Sequence, residues 1–167
     1  MKRLAMLAIL SLMTTVTEAA TTIILVRHAE KASMSGDMPL SDAGNARAKE
    51  LARVLGGTRI DAIYTTEYLR TRQTVAPLAE ALKLTPKVLE TGKEYPANVV
   101  RTVRENPAGQ TVLVAGHSNT TVDVLRELGR KDPPFIPEPQ FDDLFVCTLI
   151  EGGPASCVAL RYGAVTR

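Results

Sequence analysis

Tryptophan is absent from this 167-residue chain, and aromatic residues make up only 4% of it. That scarcity excludes an aromatic-rich platform for stacking nucleic-acid bases or sugars. Charge of one sign is also lacking. The formal net charge is +2, too weak to argue for polyanion binding by itself, so no nucleic-acid partner is expected. The chain has only two histidines and two cysteines. No HxH, HExxH or cysteine cluster is visible, and a zinc site needs at least three protein ligands, so neither metal nor cofactor is expected. There is no internal repeat and no low-complexity tract. The most apolar stretch, Leu4–Met13, is about half the length of the roughly 20-residue helix that spans a bilayer.

What is present is the composition of one globular domain, with 45% apolar and 23% charged residues. A chain of this size buries roughly 70% of its unfolded surface. Residues 1–19, MKRLAMLAILSLMTTVTEA, place Lys2 and Arg3 before the apolar core, and small and polar residues after it. Thr17 and Ala19 stand at −3 and −1 of a cut. That order is expected of a secretory signal peptide, with an uncleaved anchor or a buried first strand as alternatives. No cysteine lies near the cut, so a lipidated anchor is not expected. Cleavage removes two basic residues and one acidic residue and leaves a domain over 20–167 with a formal charge of +1. Its expected location is periplasmic or secreted, with no membrane span once the leader is gone.

Along the domain, strand and helix patterns alternate. Residues 22–27 form a continuous, β-branched apolar run, a buried strand. PLSDAGNARAKELARVLGG begins with Ser41 as a candidate cap, carries apolar residues at helical spacing and stops at Gly56–Gly57. IDAIYTT is a short strand. Residues 67–83 read as a helix that Pro77 should kink or divide. PKVLE is a candidate short strand, 96–105 a helix, 111–116 a second buried strand, and 119–129 a helix ending at Gly129. KDPPFIPEPQ, 131–140, holds four of the ten prolines and reads as a surface loop. Residues 144–150 and 157–162 read as a hairpin with its turn near Gly152–Gly153–Pro154. Symmetric pairing about residue 152 sets Cys147 opposite Cys157; a cross-strand disulfide and two small buried apolar residues are both open readings. The alternation implies an α/β fold: a three-layer α/β/α arrangement, with a mostly parallel central sheet, helices on both faces and antiparallel strands at one edge.

Both histidines fall at strand ends. The first buried strand ends in Arg27 and His28, and the strand VLVAG runs into His117. In open α/β sheets, ligands bind beyond the carboxyl ends of the strands. A single histidine there is usually a hydrogen-bonded, partly buried side chain. Two at the same rim, one beside an arginine, weaken that reading. A third strand runs into Thr65–Thr66, and Arg70, four residues after Thr66, shares a helix face with it if the helix begins there. Arg70 then points back to the rim and Arg72 points elsewhere.

Arg27–His28, TTEYLRTRQT and AGHSN together resemble the histidine phosphatase superfamily, which includes phosphoglycerate mutases and small phosphohistidine phosphatases. LSDAGNARA is similar to the family stretch Leu–Thr/Ser–x–x–Gly–x–x–Gln–Ala. The motifs occur in family order across the domain, and length and leader look most like a small exported branch. The resemblance implies that His28 is a nucleophile forming a phosphohistidine, and that Arg27, Arg70 and His117 hold the phosphoryl oxygens. Neutral imidazole suits the first role and forked guanidinium donors the second. Lys31 is either at the pocket mouth or simply exposed. Ser118 and Asn119 orient His117, contact phosphate or cap the following helix. Glu30 is a local ion-pair partner or a solvated charge. Many family members take a proton donor from between the second arginine and the second histidine. Glu94, then Glu90, are the candidates here, although neither has the Trp–Glu–Gly setting of mutases; Asp142 and Asp143 are weaker ones. Phosphohistidine phosphatases work without a strong acid. The expected activity is a metal-independent phosphomonoesterase acting on sugar phosphates or phosphohistidine, on a small molecule or a phosphoprotein. The alternatives are a non-catalytic phosphate-binding module and a mutase-type phosphotransferase.

Overall fold

In the computed structural model, which describes residues 20–33, 36–149 and 153–166, each apolar run becomes a strand and each amphipathic stretch a helix. The expected leader over 1–19 and Gly152 of the expected turn lie outside the described residues. In chain order the elements are β1 (Thr22–Arg27), α1 (Asp42–Leu55), β2 (Ala62–Thr65), α2 (Leu69–Leu82), β3 (Lys87–Val88), α3 (Tyr95–Glu105), β4 (Thr111–Gly116), α4 (Ser118–Glu127), β5 (Asp143–Thr148) and β6 (Ser156–Arg161). They form a six-stranded sheet in the order β3-β2-β4-β1-β5-β6. The pairings β2–β3, β2–β4 and β1–β4 are parallel, whereas β1–β5 and β5–β6 are antiparallel.

Strand periodicity divides the core. Ile23 and Leu25 of β1 face one side with Val112 and Val114, under Val99 and Val103 of α3 and Val124 and Leu125 of α4. Ile24 and Val26 face the other side with Ile63 and Leu113, under Leu51 and Leu55 of α1 and Val75 and Leu78 of α2. Helices therefore cover both faces, which is why the two middle strands are apolar throughout rather than alternating.

Ser41 caps α1 as expected: its Oγ accepts from Gly44 N at 3.1 Å, and its own amide donates to Glu30 O at 2.9 Å. A Cβ at Gly44 would lie 2.1 Å from Glu30 O, so only glycine lets α1 begin against the loop that follows β1. Pro77 does not divide α2. It removes one backbone donor, but Thr74, Val75, Leu78 and Ala79 are buried on both sides of it, and that packing holds the helix together. The PKVLE strand shrinks to two exposed residues at the sheet edge. Cys147 and Cys157 are directly opposed across β5 and β6 and are joined in a disulfide. No helix among the described residues is long and apolar enough to cross a membrane.

Candidate active site

Parallel pairing builds the site. Arg27 and Gly116 are partners at the ends of β1 and β4, and the ladder extends one step further, from His28 N to Gly116 O at 2.9 Å. His28 and His117 are the next residues on adjacent strands, and their ring centroids are 5.3 Å apart. A Cβ at position 116 would meet Thr120 Oγ1 at 2.7 Å, so a larger residue there would push aside the hydroxyl that accepts from the His117 amide.

Hydrogen bonds fix both imidazoles. Nδ1 of His28 lies 2.7 Å from Ala29 O. A carbonyl only accepts, so Nδ1 carries the hydrogen and Nε2 keeps its lone pair. Nδ1 of His117 lies 3.2 Å from Arg70 Nη2, and a guanidinium only donates. His117 Nδ1 is therefore an acceptor, and in the neutral ring the hydrogen sits on Nε2, 3.1 Å from Thr66 Oγ1. Thr66 continues to Thr71 Oγ1 at 2.9 Å, which donates to Tyr68 O at 2.8 Å. Thr74 joins the loop after β1 to α2: its Oγ1 accepts from Ala29 N at 2.8 Å and donates to Arg70 O at 2.7 Å.

Burial pushes the His28 pKa down to about 3, helped by the positive charge available on His117, Arg27 and Arg70 and opposed by the bond to Ala29. Burial and Arg70 likewise hold His117 down at about 4. Both rings are neutral at pH 7.

The two arginines are held differently. Arg27 is 2% exposed. Its Nη1 donates to the carbonyls of Pro137, Glu138 and Gln140 at 2.8–2.9 Å, and its Nη2 meets Glu138 Oε2 at 2.9 Å. Its guanidinium stacks over Phe141, 4.2 Å from the ring centroid. Arg70 stacks on Tyr68 at 4.2 Å and lies 3.7 Å from Asp37 Oδ1. The proline-rich segment is thus at the surface, as expected, but its inner edge is also the cradle of Arg27.

The four residues Arg27, His28, Arg70 and His117 are brought together. Lys31 is half-buried, and its charge helps hold the His117 pKa down. Ser118 and Asn119 do not cap α4. The N-cap is His117 itself, and Thr120 Oγ1 accepts from its backbone amide at 2.8 Å. Ser118 Oγ instead lies 3.2 Å from Glu138 Oε1, and Asn119 is exposed in the first turn. Glu90 and Glu94 are exposed, and among the described contacts no hydrogen bond or ion pair joins either to the four residues. Asp142 and Asp143 are committed elsewhere, Asp142 to Thr166 and Arg161, Asp143 to Gln140 and Arg161. Arg72 is exposed, as expected. Glu30 is an ion-pair partner, but of Arg47 on α1, at 2.8 Å.

Sequence reasoning missed Glu138, Phe141, Glu67 and Asp37. The Pro137–Glu138–Pro139 triplet is a signal for Glu138, a carboxylate on a stiff loop. Asp37 accepts from Leu69 N at 2.8 Å, at the start of α2. Burial alone would raise the Glu67 pKa, but hydrogen bonds from the Thr91 amide and hydroxyl outweigh it and hold the carboxyl below its ordinary range. Among the described residues no three His, Cys, Asp or Glu side chains are grouped as metal ligands.

A model of the histidine phosphatase superfamily (branch 1) matches residues 23–97. No curated protein matches the sequence. Among solved structures, the protein histidine phosphatase SixA complexed with tungstate is 22% identical with a TM-score of 0.68, over 84% of this chain and 96% of that one. The mycobacterial glucosyl-3-phosphoglycerate phosphatase Rv2419c is 15% identical with a TM-score of 0.67, over 86% and 99%. YhfR of Bacillus stearothermophilus is 18% identical with a TM-score of 0.66, over 82% and 95%. At these identities the structures speak for the fold. The sequence match takes in the first histidine and the second arginine, so residues 23–97 carry the histidine phosphatase signature, and the fold of the chain is that of these solved structures.

Proposed function

We propose that this chain is an exported, metal-independent phosphomonoesterase that works through a phosphohistidine at His28. The observation that carries the reading is the pinned His28 ring: Nδ1 is tied to Ala29 O at 2.7 Å, so a neutral Nε2 is available as nucleophile beside Arg27, Arg70 and His117. Nε2 attacks phosphorus in line, and water then hydrolyses the N–P bond. The charge on the transferring group is spread over its equatorial oxygens, so catalysis rests on fixed donors rather than on covalent help. Sugar phosphates and phosphohistidine are the proposed substrates. The first fits the likeness to a glucosyl-3-phosphoglycerate phosphatase, and the second the likeness to SixA. Export is proposed from the leader-like residues 1–19, and the Cys147–Cys157 disulfide suits an oxidising compartment.

The test is a pulse of the full chain with ³²P-labelled phosphomonoester, quenched in alkaline detergent because phosphohistidine is acid-labile. Label on wild-type protein that decays as phosphate appears, and is absent from His28→Ala, is the expected result. Saturable phosphate binding without label or turnover would identify a binding module. Transfer of label between positions of a phosphoglycerate would identify a mutase. N-terminal sequencing of the protein recovered outside the cytoplasm tests cleavage after Ala19.

A further inference from the structure

We propose that Glu138 is the proton donor to the leaving oxygen, and that its carboxylate rests on the phosphate-binding donors until a phosphoryl group replaces it. This rests on the phosphatase reading above.

The Nη1 group of Arg27 is fully occupied by three backbone carbonyls at 2.8–2.9 Å, so the loop positions the guanidinium without help from the Glu138 side chain. The Nη2 edge is left for an anion, and Glu138 Oε2 fills it at 2.9 Å. The other carboxylate oxygen lies 3.2 Å from Ser118 Oγ, in the first turn of α4 beside His117. One carboxylate therefore links Arg27, at the end of β1, to the first turn of α4, which follows β4. The Glu138 side chain is 67% exposed and that of Arg27 2%. A pair so exposed on one side is weak, so an arriving dianion displaces the glutamate and leaves the arginine in place. Pro137 and Pro139 restrict the backbone on both sides, which keeps the displaced carboxyl at the mouth of the site.

The other carboxylates near the site are poorly suited to the task. Glu67 is locked by Thr91, and Asp142 and Asp143 are paired with Arg161. Asp37 holds the α2 amide of Leu69. A carboxyl group beside a bound dianion takes up a proton more readily than one paired with a guanidinium, so substrate binding itself supplies the conditions for protonation.

The step balances. The His28 Nε2 lone pair forms the N–P bond, the P–O bond to the leaving group breaks, and its electron pair takes the Glu138 proton to release an alcohol. Water then forms a new O–P bond and returns a proton to the Glu138 carboxylate. The N–P electrons return to Nε2, and phosphate leaves.

The test compares kcat/KM for wild type and Glu138→Gln across phosphomonoesters of graded leaving-group acidity, from p-nitrophenyl phosphate to an alkyl phosphate. A proton donor makes the wild type insensitive to the leaving group. Its loss costs about 10²–10⁴-fold on the alkyl ester and little on the aryl ester, whose oxygen leaves unaided. Glu138→Asp, which keeps the acid on a shorter arm, should fall between the two. An equal loss on both esters, or no loss on either, overturns the proposal. Melting temperatures show whether each variant is folded; if Gln fails to fold, the Asp variant's slope decides alone. A wild type that is never labelled and turns over none of the esters overturns the phosphatase reading, and this proposal with it. A labelled, active wild type with an unchanged Gln slope removes only Glu138.

Discussion

Arg27 and Arg70 present the same fork of donors, yet they differ in what else depends on them. Arg27 satisfies three loop carbonyls and is buried, whereas Arg70 serves His117 and is 13% exposed in its side chain. Replacing either by methionine removes a contact to developing charge, worth roughly 10²–10³ in rate. Arg27→Met also strands buried carbonyls, at about 1–3 kcal/mol of stability, a fall of roughly 3–10 °C in Tm for a domain of this size. Arg70→Met breaks one part-buried bond, to His117 Nδ1 at 3.2 Å, and should cost only about 0.5–1.5 kcal/mol, a smaller fall in Tm than that of Arg27→Met. Kinetics and thermal melts on the two variants check the contrast; equal Tm losses would contradict it. The four clustered residues, Arg27, His28, Arg70 and His117, were legible because a histidine at the end of a buried strand is rare and both histidines of the chain stand at one. What holds Arg27 was not, because its partners are backbone oxygens about a hundred residues away, and a carbonyl leaves no mark in a sequence.

At the scale of elements, β1, β4 and α1 were legible because burial on both sheet faces forces unbroken apolar runs, and because Ser41 and Gly56 punctuate the helix. The reading was weakest where tertiary packing overrides local preference, at Pro77, and where a strand survives only as the sheet's edge, at β3. It also missed a clamp. Arg47 stands where the family pattern usually has glutamine, and it is 3% exposed. It pairs with Glu30 at 2.8 Å and donates to Tyr162 O and Ala164 O at 2.9 and 2.8 Å. Those bonds fasten residues 162–166 to α1. The same tail supports the site, since Thr166 Oγ1 accepts from Phe141 N at 2.8 Å and Phe141 stacks under Arg27. Breaking a buried pair costs about 3–5 kcal/mol, and the partial exposure of Glu30 brings that down to about 2–4 for Arg47→Gln. Urea unfolding measures the loss, and hydrogen exchange should show faster opening of 162–166 than in the wild type; unchanged exchange there would argue against the clamp.

For the whole molecule, holding His28 ready for the proposed attack means folding around two neutral imidazoles, and that ties stability to pH. The unfolded histidines titrate near 6.5, whereas the native values are about 3 for His28 and about 4 for His117. Between those limits the unfolded chain binds protons that the native protein refuses, so stability rises with pH and is lost as pH falls below about 6.5. Each ring contributes a slope of up to about 1.4 kcal/mol per pH unit. Glu67 and Asp142, whose carboxyls are held below their ordinary range, act in the same direction, but only at lower pH, where unfolded carboxylates take up protons. Melts between pH 6.5 and about 5.5 therefore isolate the histidines. The wild type should lose stability steeply over that window. His28→Gln and His117→Gln should each flatten the slope by about half, and the double variant should remove most of it. A bound oxyanion such as tungstate should also flatten it, because negative charge between the rings favours the protonated imidazole that the empty site disfavours. A wild-type stability indifferent to pH over this range would mean that the rings are solvated, not buried, and that the nucleophile is not prepared by the fold.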